Sequence, residues 1–173
     1  SFLDLASGLI LFLTMKAVSN ASKESFKFPV GKSRLEPLGV MVFAVIMGIS
    51  MLLLARETVT ALIVGILNND DVSIPTFDAV VISAIVATVV IKAALHVYCS
   101  AVAASTGSAA VDTYAEDHRN DVLTNIAGLA GGLIASKFVD AWFVDPGVAL
   151  LLALFVAYNW LSAAHGSVGK PPP

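Results

Sequence analysis

Charge is what this sequence has least of. Only 13% of its 173 residues are Asp, Glu, Lys or Arg, whereas a soluble domain carries about 25%. Hydrophobic residues make up 57%, and mean hydropathy is +0.85. That balance excludes an ordinary soluble domain and implies a membrane protein or the membrane part of one. The net charge is −3, so no nucleic-acid partner is expected. Cys99 is the single cysteine; no internal disulfide can form, and the redox compartment stays open. No basic n-region or small-residue cleavage site precedes the first apolar run, which therefore does not read as a signal peptide. Beginning at Ser1 inside an apolar segment, the sequence reads as a fragment cut at both ends. Low-complexity segments and strong internal repeats are also missing.

What is present is a series of long apolar stretches. Crossing a bilayer takes about 20 mostly apolar helical residues. Five stretches meet or approach this: about 1–18, 35–67, 77–104, 111–138 and 146–164. The second runs from about Leu35 to Leu54 and reaches Leu67 only by passing Arg56 and Glu57; the third, past Asp78 at its start, is broken only by Lys92. Span three is rich in β-branched residues (Val80-Val81-Ile82, Val89-Val90-Ile91), a strand-like composition. Within lipid only helices and closed barrels satisfy the backbone, and a barrel needs alternating segments of about ten residues rather than continuous runs. The expectation is an all-α membrane protein with one transmembrane domain over residues 1–169, followed by a Pro-rich tail at 170–173. Three consecutive prolines cannot continue a helix.

The loops set an expected direction. Lys16, Lys23, Lys27, Lys32 and Arg34 are five of the ten basic residues, and all lie from the end of span one to the start of span two. The next loop holds Asp70 and Asp71 and no Lys or Arg. By the positive-inside tendency the first loop is cytoplasmic, which also places the C-terminus in the cytoplasm. Five spans with a clipped first one imply at least one further helix upstream.

Against this apolar background the ionisable residues stand out. Asp117-His118-Arg119-Asn120-Asp121 leads into the uncharged run from Val122 to Ser136. Residues four apart share a helix face. Ionisable side chains inside a bilayer cost about 3 kcal/mol or more at its centre and tend to mark ion paths. Paired carboxylates suit hard divalent cations. At 1.5 Å per residue, Asp4, Lys92, Asp117 and Asp121 lie roughly 9–21 Å from the expected cytoplasmic ends of their spans. Three carboxylates and one ammonium would then share the membrane interior, with Lys92 pairing with an aspartate or standing in for the ion.

Each residue also has a plainer reading. Asp117, with Asp112 and Glu116, fits an acidic first turn favoured by the helix dipole. His118 is about 100° off the Asp117/Asp121 face and is expected to pack or face the entrance rather than ligate. His96 and His165 read as structural. Asn125 continues the aspartate stripe as a secondary oxygen or a helix–helix hydrogen bond. Gly128 and Gly132 form a G-x-x-x-G that would let a neighbouring helix approach. Gly31-Lys32-Ser33 lacks the upstream glycine and the preceding strand of a phosphate loop, and reads as a basic loop leading to Pro37 in the first turn of a helix.

Four stretches together resemble the membrane domain of the cation diffusion facilitator (cation efflux) family, and most closely its manganese-type subgroup. Ser1 to Gly8 is similar to that family's second helix, and Phe28-Pro29-Val30-Gly31-Lys32-Ser33-Arg34-Leu35-Glu36-Pro37-Leu38-Gly39 to the loop entering the third. Ala87 to Cys99 is similar to the fourth helix, and Asp117 to Asn125 to the fifth. The resemblance implies a six-helix bundle working as a homodimer, of which five helices are here, exchanging a divalent cation for protons by alternating access. It implies Asp4, Asp117 and Asp121 as metal ligands, with a further acid immediately before Ser1. No prosthetic group is implied; the metal is the transported substrate. The zinc-type branch has His where this chain has Asp117, and an all-oxygen set suits Mn²⁺ better than Zn²⁺. A cytoplasmic domain that follows the sixth helix in the family is absent from the sequence. Vacuolar, Golgi-type and plasma membranes are not distinguished. The alternatives are a passive cation channel and, further off, a membrane-embedded metal-dependent transferase. The D-x-x-D-G signature of head-group transferases is missing here, since Asp4 is followed by Leu5-Ala6-Ser7.

Overall fold

In the computed structural model, residues 8–9, 12–13, 16, 35–67, 77–138 and 141–169 are described. Among them the chain is all α-helical: α1 (Leu35–Leu67), α2 (Ala79–Thr106), α3 (Ala109–Lys137) and α4 (Val144–Gly169). Residues 8–9, 12–13 and 16 are helical as well. The stretch containing Arg56 and Glu57 is one unbroken 33-residue helix, and both of those side chains are exposed. The β-branched run of residues 80–91 is helical throughout, as the bilayer's demand for internal backbone pairing requires.

Two antiparallel pairs make up the architecture. Helices α1 and α4 pack lengthwise, as do α2 and α3, and α3 joins the pairs through its contacts with α4 and α1. The α2–α3 connection is tight. Gly107 ends α2 at φ 68°, a left-handed conformation that costs a residue with a Cβ about 1–2 kcal/mol. Ser108 then caps α3 by accepting a hydrogen bond from the Val111 amide, and Asp112 in the first turn complements the helix dipole. Two linking residues force the helices to run antiparallel, which fixes what faces what across the seam.

The core lies between α1 and α4. Phe43 and Val156 are fully buried, with Ala44, Met47 and Trp160 around them. The Phe43 ring meets Trp160 edge-on at 5.4 Å between centroids, and Tyr114 of α3 at 6.2 Å. Gly65 sits under the Trp142 ring, extending the α1–α4 seam to its far end. In contrast, Ala103 is the only buried residue of α2. Large apolar side chains such as Val80, Val90, Ile91, Leu151 and Ile66 are more than half exposed. In water that surface would be an aggregation hazard; in hydrocarbon it is the ordinary outer face of a bundle.

Three described helices are long and apolar enough to cross a membrane: Pro37–Leu67, Ala79–Thr106 and Val144–His165. Helix α3 is not among them, although the sequence reading counts it as a span. Its first half carries Asp112, Glu116, Asp117, Arg119 and Asp121, and a lipid-exposed helix would not tolerate them. Packing against α2, α4 and α1 shelters Asp117 and Asp121, while Asp112 stays exposed and Glu116 and Arg119 pair with each other on a half-exposed face.

Candidate metal centre

Helix α3 carries the chemistry, and its neighbours decide which way each group faces. The antiparallel α2–α3 seam is pinned where His96 of α2 donates from Nδ1 to the main-chain oxygen of Ala115 at 2.8 Å. One turn back along α2, the Lys92 ammonium donates to Asp121 Oδ2 at 2.5 Å. Both side chains are about one-fifth exposed. The shared depth expected for Lys92 and Asp121 is therefore realised as direct contact. Either charge alone in hydrocarbon costs about 3 kcal/mol or more, so each makes the other's position tolerable.

Asp117 is 3% exposed. It lies two turns inside α3, not in the first turn, so a role as a headgroup-level dipole acid does not describe it. His118 is 4% exposed, and its ring meets Tyr114 edge-on at 4.8 Å between centroids. Packing was expected of His118, and it does pack. It also comes within ligand reach: one donor atom each from Asp117, His118 and Asp121 lie within 4.8 Å of one another. A point among three atoms at that spacing lies within about 2.8 Å of all of them, a few tenths of an ångström beyond Ca²⁺–oxygen distances of about 2.3–2.6 Å. The 100° offset of His118 is bridged by side-chain length, which a face-by-face reading of the helix ignores.

Other groups fall differently from expectation. Asn125 turns back on its own helix: its Nδ2 donates to the Asp121 main-chain oxygen at 2.7 Å, within α3. Close approach at the G-x-x-x-G uses only one of its glycines. A Cβ added at Gly132 would strike the Phe77 ring and one at the adjacent Gly131 would come within 3.2 Å of the Asp145 Cα of α4, whereas one at Gly128 would meet nothing within 4 Å among the described residues. Arg119 is committed to Glu116 by two hydrogen bonds on a half-exposed face, so its charge does not neutralise the two aspartates. Asn120, 4% exposed, was not singled out by sequence; its Oδ1 is buried without a hydrogen-bond donor among the described residues. Asp4 and the basic loop lie outside the described residues. The nearest described position to Asp4 is Gly8, which touches the Tyr114 hydroxyl.

The arrangement offers two carboxylates and an imidazole on a buried stretch of helix, with one ammonium opposite. Such a set can bind a divalent cation and exchange it for monovalent charge. Comparisons with known proteins agree with this chemistry. Residues 1–169 match the family described as the cation efflux transmembrane domain. The chain is 36% identical over 171 residues to metal tolerance protein 3 of rice, Oryza sativa subsp. japonica, covering 95% of this chain and 38% of that protein. It is 34% identical over 179 residues to metal tolerance protein 10 of Arabidopsis thaliana, covering 100% of this chain and 39% of that one. Metal tolerance protein 5 of rice is 34% identical over 175 residues, covering 98% and 40%. No solved structure matches at a significant level. The chain spans about two-fifths of the length of the curated relatives it matches. A helical membrane chain with buried, clustered carboxylates and a family match along nearly its whole length belongs to the cation efflux family, as part of its transmembrane domain.

Proposed function

We propose that this chain is the ion-translocating part of a divalent-metal exporter, with Mn²⁺ as its favoured cargo and protons as the counter-substrate. The observation that carries this is the donor cluster of Asp117, His118 and Asp121 inside the bundle. In the cytoplasm-facing state the carboxylates take the metal. Rocking of helix pairs against each other exposes the same groups to the far side, where protons compete. Protonating an aspartate removes its charge and its hold on the cation, because ligation needs the ionised form.

Asp4 is proposed as a further ligand. Gly8, four residues after it, touches Tyr114, and Tyr114 precedes Asp117 on α3 by about one turn. Five spans of a six-helix bundle, a homodimer, a cytoplasmic C-terminus and residence in a vacuolar, Golgi-type or plasma membrane complete this reading. It is supported by the relatives' names, which speak of metal tolerance, and by the asymmetric basic loop at residues 16–34.

The test is transport. In full-length protein reconstituted in vesicles, Asp121→Ala abolishes Mn²⁺ flux driven by a pH gradient. Full flux in that variant removes Asp121 from the mechanism. Flux that ignores the pH gradient and does not saturate identifies a passive channel instead.

A second reading of the cargo rests on His118. An imidazole among the donors shifts a site from purely oxygen-loving ions towards Zn²⁺, Fe²⁺ and Co²⁺. His118→Ala separates the two: Mn²⁺ transport survives if oxygens alone bind the cargo, and fails together with Zn²⁺ transport if the imidazole is a ligand.

A further inference from the structure

The metal-site reading treats Asp121 as waiting for a cation, yet it already holds one. Lys92 is the only basic residue of α2, and its ammonium sits on Asp121 Oδ2. It reaches there from the facing helix, not from α3 itself, so its approach depends on the α2–α3 seam that His96 pins to Ala115. Along the described spans the other basic side chains are engaged elsewhere or distant. Arg119 is bound to Glu116, Arg56 is exposed on α1, and Lys137 lies in the last turn of α3.

We infer that Lys92 is a tethered competitor for the transported ion: it holds Asp121 when the site is empty and is displaced when metal binds. The inference rests on the metal-site reading and assigns a residue that reading does not use as a ligand. The physical reasoning is charge counting. A divalent ion coordinated by Asp121 would stand within a few ångströms of the ammonium, and two cations at that distance in a low-dielectric interior repel strongly. The ammonium must move off its oxygen for the metal to come on. Conversely, an empty carrier with a bare Asp121 would have to carry unpaired charge through hydrocarbon, and the tethered ammonium neutralises that one carboxylate. Lys92 therefore weakens metal binding and eases the return of the empty carrier. A long flexible stem with a compact ammonium suits such on-and-off pairing better than a planar guanidinium, which locks onto carboxylate through two bonds.

The test uses the full-length protein. Mn²⁺ affinity and transport are measured for Lys92→Met and Lys92→Arg, with Asp121→Asn as the control on the site. Lys92→Met is expected to bind Mn²⁺ about tenfold more tightly, with a lower KM and a lower maximal rate. Lys92→Arg is expected to bind no more tightly than the unaltered protein. Where Lys92→Met is poorly stable without metal, Lys92→Gln carries the same comparison, read as the rise in Tm on adding Mn²⁺. That rise should exceed the one in the unaltered protein. Equal or weaker binding in the neutral variants, with binding lost in Asp121→Asn, overturns the role of Lys92 and leaves the metal site standing. Undiminished binding in Asp121→Asn overturns the site itself.

Discussion

At the scale of single residues, the account depends on which carboxylates are shielded from lipid and what faces them. Asp117 and Asp121 are four apart on α3, but their surroundings differ: Asp117 is 3% exposed, whereas Asp121 is partly open and paired with Lys92. Asp117→Asn and Asp121→Asn are close in size to the native side chains but lose the charge of a proposed ligand. Each is expected to cut Mn²⁺ affinity at least tenfold with the protein still folded, as read by calorimetric titration. Burial of Asp117 makes its own substitution the larger loss, since a neutral amide there replaces charge that water cannot help supply. The sequence made the aspartate pair legible because charge is so scarce in this chain that any intramembrane acid is conspicuous. His118 and Asn120 were less legible. Helix periodicity describes where a side chain leaves the backbone, not where its terminal atoms arrive. The imidazole reaches the donor cluster although its Cβ points elsewhere, and no spacing rule singles out an asparagine with a buried orphan oxygen.

Among the elements, the α2–α3 hairpin and the α1–α4 core do separate work. The hairpin sets register: its two-residue link, through Gly107 at φ 68°, brings Lys92 opposite Asp121. Gly107→Val puts a β-branched side chain into the left-handed region at a cost of about 1–2 kcal/mol. The expected result is a lower Tm together with reduced metal affinity, because the register on which the site depends is strained. The core contributes packing. In Phe43→Ala the ring is lost from between Trp160 and Tyr114. A buried aromatic in a soluble protein would cost 3–5 kcal/mol, but part of that is transfer from water, which a bilayer-embedded helix does not regain. The packing part alone is about 2 kcal/mol, measurable as reversible unfolding in mixed micelles. Long apolar stretches were readable as helices because lipid leaves the backbone no other choice, even for the β-branched run of α2. Which glycines mediate close approach was not readable. Side chains added at Gly131 and Gly132 would run into α4 and Phe77, while one at Gly128 would meet nothing within 4 Å among the described residues, and that choice is made by the partner's position, which sequence spacing does not contain.

For the whole molecule, an apolar exterior surrounds an acidic helix that is too polar to face lipid by itself. Among the described residues three helices satisfy the length and hydropathy of a span; α3 does not, and packs against the other three. Such an arrangement has a cost only a function would maintain: apolar residues in place of the α3 charges would pack against the same neighbours without the desolvation penalty. The proposed exchange of a dication for protons at shared carboxylates has a consequence at this scale. Flux into vesicles is expected to fall as the pH on the metal-loading side is lowered, because protonated aspartates do not ligate, and to rise when the opposite side is acidified. Stopped-flow fluorescence with a trapped metal indicator reads both arms, and insensitivity to both would favour the channel alternative.

The central claim is that one divalent ion sits among Asp117, Asp121 and their neighbours inside the bundle. Anomalous X-ray scattering from crystals of the full-length protein grown with Mn²⁺ tests it most directly. The account predicts a single intramembrane anomalous peak within coordination distance of both carboxylates, with the Lys92 ammonium moved off Asp121. A Mn²⁺ peak found only outside the bundle, with Lys92 still seated on Asp121, would contradict it.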